Sequence, residues 1–208
     1  PSQYVLFDIV CHLGTLLAIL VAFRSDLRCF WEKKIAQDVF LGSLPLLPLV
    51  FIIHPLKNLL HQPWVLSGCF FLSAGFIWMD RTRFEKSIYL ADPFWIGLAQ
   101  AIAVLPGISR SGATISTARA LGWSWEAAFK FSFLLSIPAI LGGTIVEMGS
   151  LSSEHVPLLS LFTGFSTSFL VGGWTLQRVK WILKSEKWHY FGWYCLILGW
   201  VNLCTLFF

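Results

Sequence analysis

"LPGISRSGAT", Leu105–Thr114, places one arginine, three hydroxyl side chains and two glycines between apolar stretches of membrane-helix character. The surroundings make that polar cluster informative. Of the chain's 208 residues, 56% are hydrophobic and only 12% charged, with a mean hydropathy of +0.71. A soluble domain of this length cannot hide so much apolar side chain, so the composition points to an integral membrane protein. Tryptophans at the ends of apolar runs (Trp31, Trp64, Trp78, Trp95, Trp181, Trp188) suit an interfacial aromatic belt. The five cysteines are scattered without metal-ligand spacing and read as small apolar fillers.

Apolar runs cover 6–23, 39–53, 64–79, 129–148, 156–176 and 190–208. At about 1.5 Å per helical residue they suffice for six crossings of a ~30 Å hydrocarbon layer, the shorter ones with help from their flanks. Lysine and arginine concentrate in alternate loops: Arg24, Arg28, Lys33 and Lys34; Arg81, Arg83 and Lys86; Arg178, Lys180, Lys184 and Lys187. The loops between carry Lys57 alone in 54–63 and no cation in 149–156. The positive-inside rule then places the cation-rich loops in the cytoplasm and both ends of the chain outside.

This orientation forces residues 93–128 to enter the membrane and return to the side they left. The first arm, Pro93 to Leu105, reaches ~20 Å as a helix, too short to cross a ~30 Å core. The return arm, Ala113 to Leu121, is shorter still. The expected architecture is all-α: one polytopic membrane domain over 1–208, with six transmembrane helices and a re-entrant helical hairpin at 93–128, its tip at Pro106-Gly107. Irregular backbone at membrane depth is tolerated only in protein or beside a watery cavity, so the tip should line a cavity.

Of the 15 Lys and Arg residues, this topology puts only Arg110 at membrane depth. A guanidinium there needs an anionic partner or water. Ser109, Ser111 and Thr114 supply hydroxyls, and Gly107 and Gly112 allow close backbone approach. The second arm begins here, bringing free N–H groups and the positive end of a helix dipole. Phosphate suits all of these. The competing reading is a structural tie between Arg110 and a buried carboxylate.

"GLAQAIAVLPGISRSGATI" resembles the signature of the undecaprenyl-diphosphate phosphatase (bacitracin-resistance) family of bacterial inner membranes. "FDIVCHLGTLLAILVAFRSDL" and "FKFSFLLSIPAILGG" extend the resemblance over essentially the whole chain. It implies that Arg110 holds the diphosphate with Ser109 implicated beside it, both catalytic. It also implies removal of one phosphate from a polyprenyl diphosphate, which regenerates the lipid carrier of cell-wall synthesis. A divalent cation, Mg²⁺ or Ca²⁺, would bridge the phosphates to carboxylates. An earlier family motif, E-G-x-T-E-F-L-P-I-S-S-T-G-H, has no match, and its carboxylates are not identifiable here. The expectation is a chain lacking its N-terminal segment, the present residues being the second half of an inverted repeat. If that truncation is natural, the chain should bind without hydrolysing.

Several residues carry two readings. Gln100, ten residues before Arg110, could hydrogen-bond a phosphate or satisfy broken backbone at the tip. His12 shares a helical face with Asp8 and could border the site, whereas Asp8 reads as solvated. Glu126 and Glu147, near helix ends, also read as solvated. Ser160, Gly164, Ser168 and Gly172 form a small-residue stripe, a packing surface for a neighbouring helix or a second copy in a homodimer. Pro138 should kink its helix, and Gly142 and Gly143 should permit close packing. The basic loops orient the chain and meet anionic lipid, so the pI of about 8.9 calls for no nucleic-acid partner. Two rival functions remain: a polyprenyl-phosphate transporter or flippase, since broken helices at membrane depth characterise carriers, and a non-catalytic membrane subunit assembled through the stripe.

Overall fold

The computed structural model describes residues 5–24, 33–48, 62–79, 91–149, 156–184 and 187–205. The described residues are helical and contain no strand: α1 (Val5–Ala22), α2 (Lys33–Ser43), α3 (Pro63–Trp78), α4 (Asp92–Ile102), α5 (Arg110–Ala120), α6 (Trp125–Met148), α7 (Leu158–Lys184) and α8 (His189–Cys204). α1 and α6 are long and apolar enough to cross a membrane. Residues 25–32 of the first loop, 80–90 of the loop expected at 80–92, most of the loops at 54–63 and 149–156, and the end of the 39–53 run lie outside the described residues.

Helix ends depart from the expected spans for local reasons. α2 starts at Lys33 and stops at Ser43, where Pro45 and Pro48 would each remove a backbone donor from a continuing helix. α6 begins at Trp125 because the Ser124 hydroxyl caps the Ala127 N–H, and Glu126 is exposed in an ion pair with Lys130 at 3.1 Å. α7 runs eight residues beyond the expected Leu176, since nothing in "QRVKWILK" breaks a helix. Arg178 and Lys180 are thus helical residues, not loop residues as the sequence suggested.

Contacts divide the chain into two compact units. The first comprises residues 1–36 and 133–181. In it, α1 lies against the small-residue stripe of α7. A β-carbon on Gly164 would come within 2.6 Å of the Phe7 ring, and one on Gly14 within 2.6 Å of the Phe165 carbonyl oxygen. Gly172 faces Ala18 and Thr15. The stripe therefore serves the neighbouring-helix reading: it lets two backbones approach where lipid, as apolar as leucine, offers no hydrophobic drive. Phe23 and Phe133 stack with ring centroids 5.8 Å apart. A β-carbon on Gly142 or Gly143 would meet no described residue within 4 Å, so the described residues show no close packing there. Glu147, expected in solvent, has a shielded Oε2 without a hydrogen-bond partner among the described residues. Phe162, Leu170, Val171 and Trp174 of α7 are each more than half exposed, an apolar surface suited to lipid.

The second unit comprises residues 37–132 and 182–208. α3 and α8 form its antiparallel pair: Gly192 admits the Trp78 indole, Gly199 admits the Phe71 ring, and the Asn202 Nδ2 donates to Pro63 O at 2.7 Å and Ser67 Oγ at 2.9 Å. α2 and α4 cross where Gly97 meets the Gly42 backbone so closely that a β-carbon has no room. Trp188, expected in the aromatic belt, is only 5% exposed, and its Nε1 donates to Ser116 Oγ at 2.9 Å. Cys69 and Cys195 are buried free thiols, as the filler reading requires, whereas Cys204 is exposed.

Candidate anion site at the hairpin turn

α4 and α5 are the two arms of the hairpin, each 11 residues and so about 16 Å long. Pro93 opens α4, where its missing N–H is one the helix would leave unpaired anyway. The chain leaves α4 at Ala103 and turns through Pro106-Gly107, the tip the sequence indicated. Gly107 has a φ of +92°, a left-handed conformation that costs residues with a β-carbon about 1–2 kcal/mol. A methyl there would also stand 2.9 Å from Leu66 Cδ1. Ile108 is buried with Cys69, Ala99, Ala103 and Ala113, which fixes the turn against α3.

Ser109 is the N-cap of α5. Its Oγ accepts from Gly112 N at 3.1 Å, and its own N–H donates to Ser73 Oγ at 3.1 Å. Gly112 must be glycine, since a β-carbon would lie 2.9 Å from the Ser109 side chain and break the cap. The backbone N–H groups of Arg110 and Ser111 have no partner among the described residues. They point out of the first turn, at the positive end of the helix dipole.

The Arg110 side chain is half-buried, yet no hydrogen bond or ion pair joins its guanidinium to any described residue. The structural-tie reading required a carboxylate there, and none is engaged among the described residues. Ser111 is half-buried, with a hydroxyl that no described residue engages. Thr114 differs: it is fully buried, with Oγ1 2.9 Å from Arg110 O and 2.6 Å from Ser132 Oγ. Its hydroxyl braces the first turn of α5 against α6. Gln100 of α4 is 1% exposed, and neither atom of its carboxamide has a partner among the described residues. Leaving such a group unmade costs about 1–3 kcal/mol per polar atom. His12 is exposed on α1, in the other unit.

Two features escaped the sequence. Ser73 holds the N-cap from α3, 36 residues away. Arg119, near the end of α5, is only 8% exposed, so Arg110 is not the one buried cation. The signal for Arg119 was its spacing to Trp123 and Trp125, whose rings and carbonyls can cover a guanidinium. No three His, Cys, Asp or Glu side chains converge among the described residues. Among the described residues the turn offers a cation and hydroxyls but no carboxylate, a donor set that by itself does not fit Mg²⁺ or Ca²⁺.

Fold and turn together define an all-helical membrane protein that presents an uncompensated guanidinium and free helix-terminal amides at the bend of a short helical hairpin. The chain belongs to the family described as bacitracin resistance protein BacA, which it matches over residues 1–201. It is 46% identical to an undecaprenyl-diphosphatase of Protochlamydia amoebophila across 95% of this chain and 81% of that protein. Undecaprenyl-diphosphatases of Carboxydothermus hydrogenoformans (36%) and Desulfosudis oleivorans (33%) match over 95% of this chain and over 81% and 83% of their own lengths.

Proposed function

We infer that this protein hydrolyses undecaprenyl diphosphate to the monophosphate and inorganic phosphate, the activity named for its relatives. Such hydrolysis regenerates the lipid carrier of peptidoglycan synthesis, and bacitracin resistance is the property that the family description names. The observation that carries the site is the half-buried, unpartnered guanidinium of Arg110 beside the open N–H groups of Arg110 and Ser111. A desolvated cation without an internal anion is unfavourable unless a ligand supplies the charge. A diphosphate does so with geometry to match, since a guanidinium binds phosphate oxygens in pairs.

Net hydrolysis adds water across the phosphoric anhydride: the terminal phosphorus gains an oxygen, and the bond to the bridging oxygen breaks. Charge grows on the bridging and terminal oxygens as it does so. In this reading Arg110, the two amides and the Ser111 hydroxyl stabilise that charge. Ser109 Oγ spends a lone pair on Gly112, leaving its proton to donate to a phosphate oxygen. The Gln100 carboxamide, without a partner among the described residues, is read as hydrogen-bonding the same head group or the broken backbone of the tip. The divalent cation expected with the phosphates finds no ligand set among the described residues, and no step here runs through it.

The membrane arrangement is six spans plus the re-entrant hairpin, in one multi-pass domain of the bacterial inner membrane. The length of the arms supports it, since about 16 Å each cannot cross a ~30 Å core. The lipid tail lies between helices and enters sideways from the bilayer. A dimer would need a surface other than the stripe on α7, which α1 occupies.

The test is phosphate release and lipid translocation, measured together in liposomes containing undecaprenyl diphosphate. Release that is lost in Arg110→Ala supports the hydrolase. Translocation without release would replace it with the transporter reading.

A further inference from the structure

The open end of the hairpin holds a second buried polar cluster, which the proposed chemistry does not use. Asp92 at the start of α4, Arg119 near the end of α5 and Trp123 just beyond are each less than a tenth exposed. Trp123 Nε1 donates to Asp92 Oδ2 at 2.9 Å, and Arg119 Nη1 donates to Trp123 O at 2.6 Å. The Arg119 guanidinium lies 4.4 Å from the centre of the Trp125 ring, at the start of α6. Trp125 meets Trp188 edge-on at 6.3 Å, and Trp188 returns to α5 through Ser116. One connected set of contacts thus joins the first residue of α4, the last turn of α5 and the first turn of α6.

Arg119 lies nine residues from Arg110, about 14 Å along the helix, too far to touch a ligand at the turn. We propose that Asp92, Arg119 and Trp123 are positioning residues: they lock the far end of α5 to α4 and so set the depth and rotation at which Arg110 meets the diphosphate. The need for such a lock follows from α5 itself. An 11-residue helix of sequence RSGATISTARA has little intrinsic stability and only one large apolar anchor, Ile115. One residue of slippage turns its side chains by about 100°. A displacement of 1 Å at a reacting centre can cost about 10²-fold. Hydrogen bonds specify register more sharply than apolar contacts do, and this clamp is built from them.

The proposal rests on the reading that Arg110 binds the diphosphate, so the experiment includes that residue. The protein is purified in detergent, and steady-state hydrolysis of undecaprenyl diphosphate is measured for wild type, D92A, D92N, W123F and R110A. W123F keeps a ring against Phe131, which packs on Trp123, but deletes the donor to Asp92. D92A and W123F should raise KM about fivefold or more, the scale of one lost hydrogen bond. D92N, which keeps an acceptor for the indole, should return KM to within about twofold of wild type. In an R110A background, D92A should add nothing further. A clamp that merely held the fold would lower the active fraction and leave KM unchanged in D92A and W123F, which overturns the proposal. Should D92A fail to fold, W123F decides alone. If R110A also leaves KM and kcat at wild-type values, the site reading falls. If R110A impairs binding while D92A and W123F do not, only the clamp falls.

Discussion

Arg110→Ala should separate activity from stability. The guanidinium contributes no hydrogen bond or ion pair to the described fold, so its removal deletes no internal contact of that kind. It also removes a partly desolvated charge. The change in Tm should therefore stay within about 2 °C of wild type or be positive, 1 kcal/mol corresponding to about 2–4 °C in a domain of this size. A structural tie predicts otherwise: breaking a buried ion pair costs about 3–5 kcal/mol, which would lower Tm by about 6–20 °C. For activity, removing one preorganised donor from a developing oxyanion costs about 10²–10³-fold. Hydrogen bonds to charged groups contribute about 1.5–3 kcal/mol each, so a bidentate pair gives a loss of the same order or larger. The assay is phosphate release from undecaprenyl diphosphate beside thermal unfolding of the same preparation. Loss of kcat/KM by about 10²-fold at constant Tm fits the account. A Tm lowered by more than about 6 °C, with activity falling only as the folded fraction falls, refutes the reasoning.

Further substitutions probe the scaffold. Gln100→Leu removes two buried, unpartnered polar atoms and should raise Tm while raising KM; a fall in Tm would mean the amide is internally satisfied. Gly107→Ala forces a β-carbon into a φ of +92° and toward Leu66, costing about 1–2 kcal/mol, and activity should drop by more than the lost folded fraction explains. Gly164→Leu drives a side chain into Phe7 and Cys11 and should destabilise the protein, while KM of the surviving fraction stays at the wild-type value. Thermal unfolding and steady-state kinetics read all three.

The pair of short helices joined at Pro106-Gly107 was legible because its signals are local. Arms too short to span, Pro106-Gly107 at the bend and a serine N-cap all lie within about 30 residues. The small-residue stripe was visible as a period of four, but only the structure shows that α1 fills it. What the sequence hid depends on distant partners. Trp188 looks interfacial until Ser116, 72 positions earlier, takes its N–H. Thr114 looks like a ligand donor until Ser132 occupies its hydroxyl. Arg119 sits at a helix end, where cations are ordinarily solvated, and only the fold-back of Trp123 and Trp125 buries it. Helix limits followed capping and breaking residues more than hydropathy, as Ser124 and the uninterrupted run to Lys184 show.

The central claim is that the hairpin turn holds a phosphorylated lipid head through Arg110. Its most direct test is the equilibrium dissociation constant of undecaprenyl diphosphate, measured in the same detergent for wild type and Arg110→Ala. The account predicts affinity weakened by at least about tenfold, the equivalent of 1.4 kcal/mol, at unchanged Tm. Equal affinity in the two proteins would contradict it.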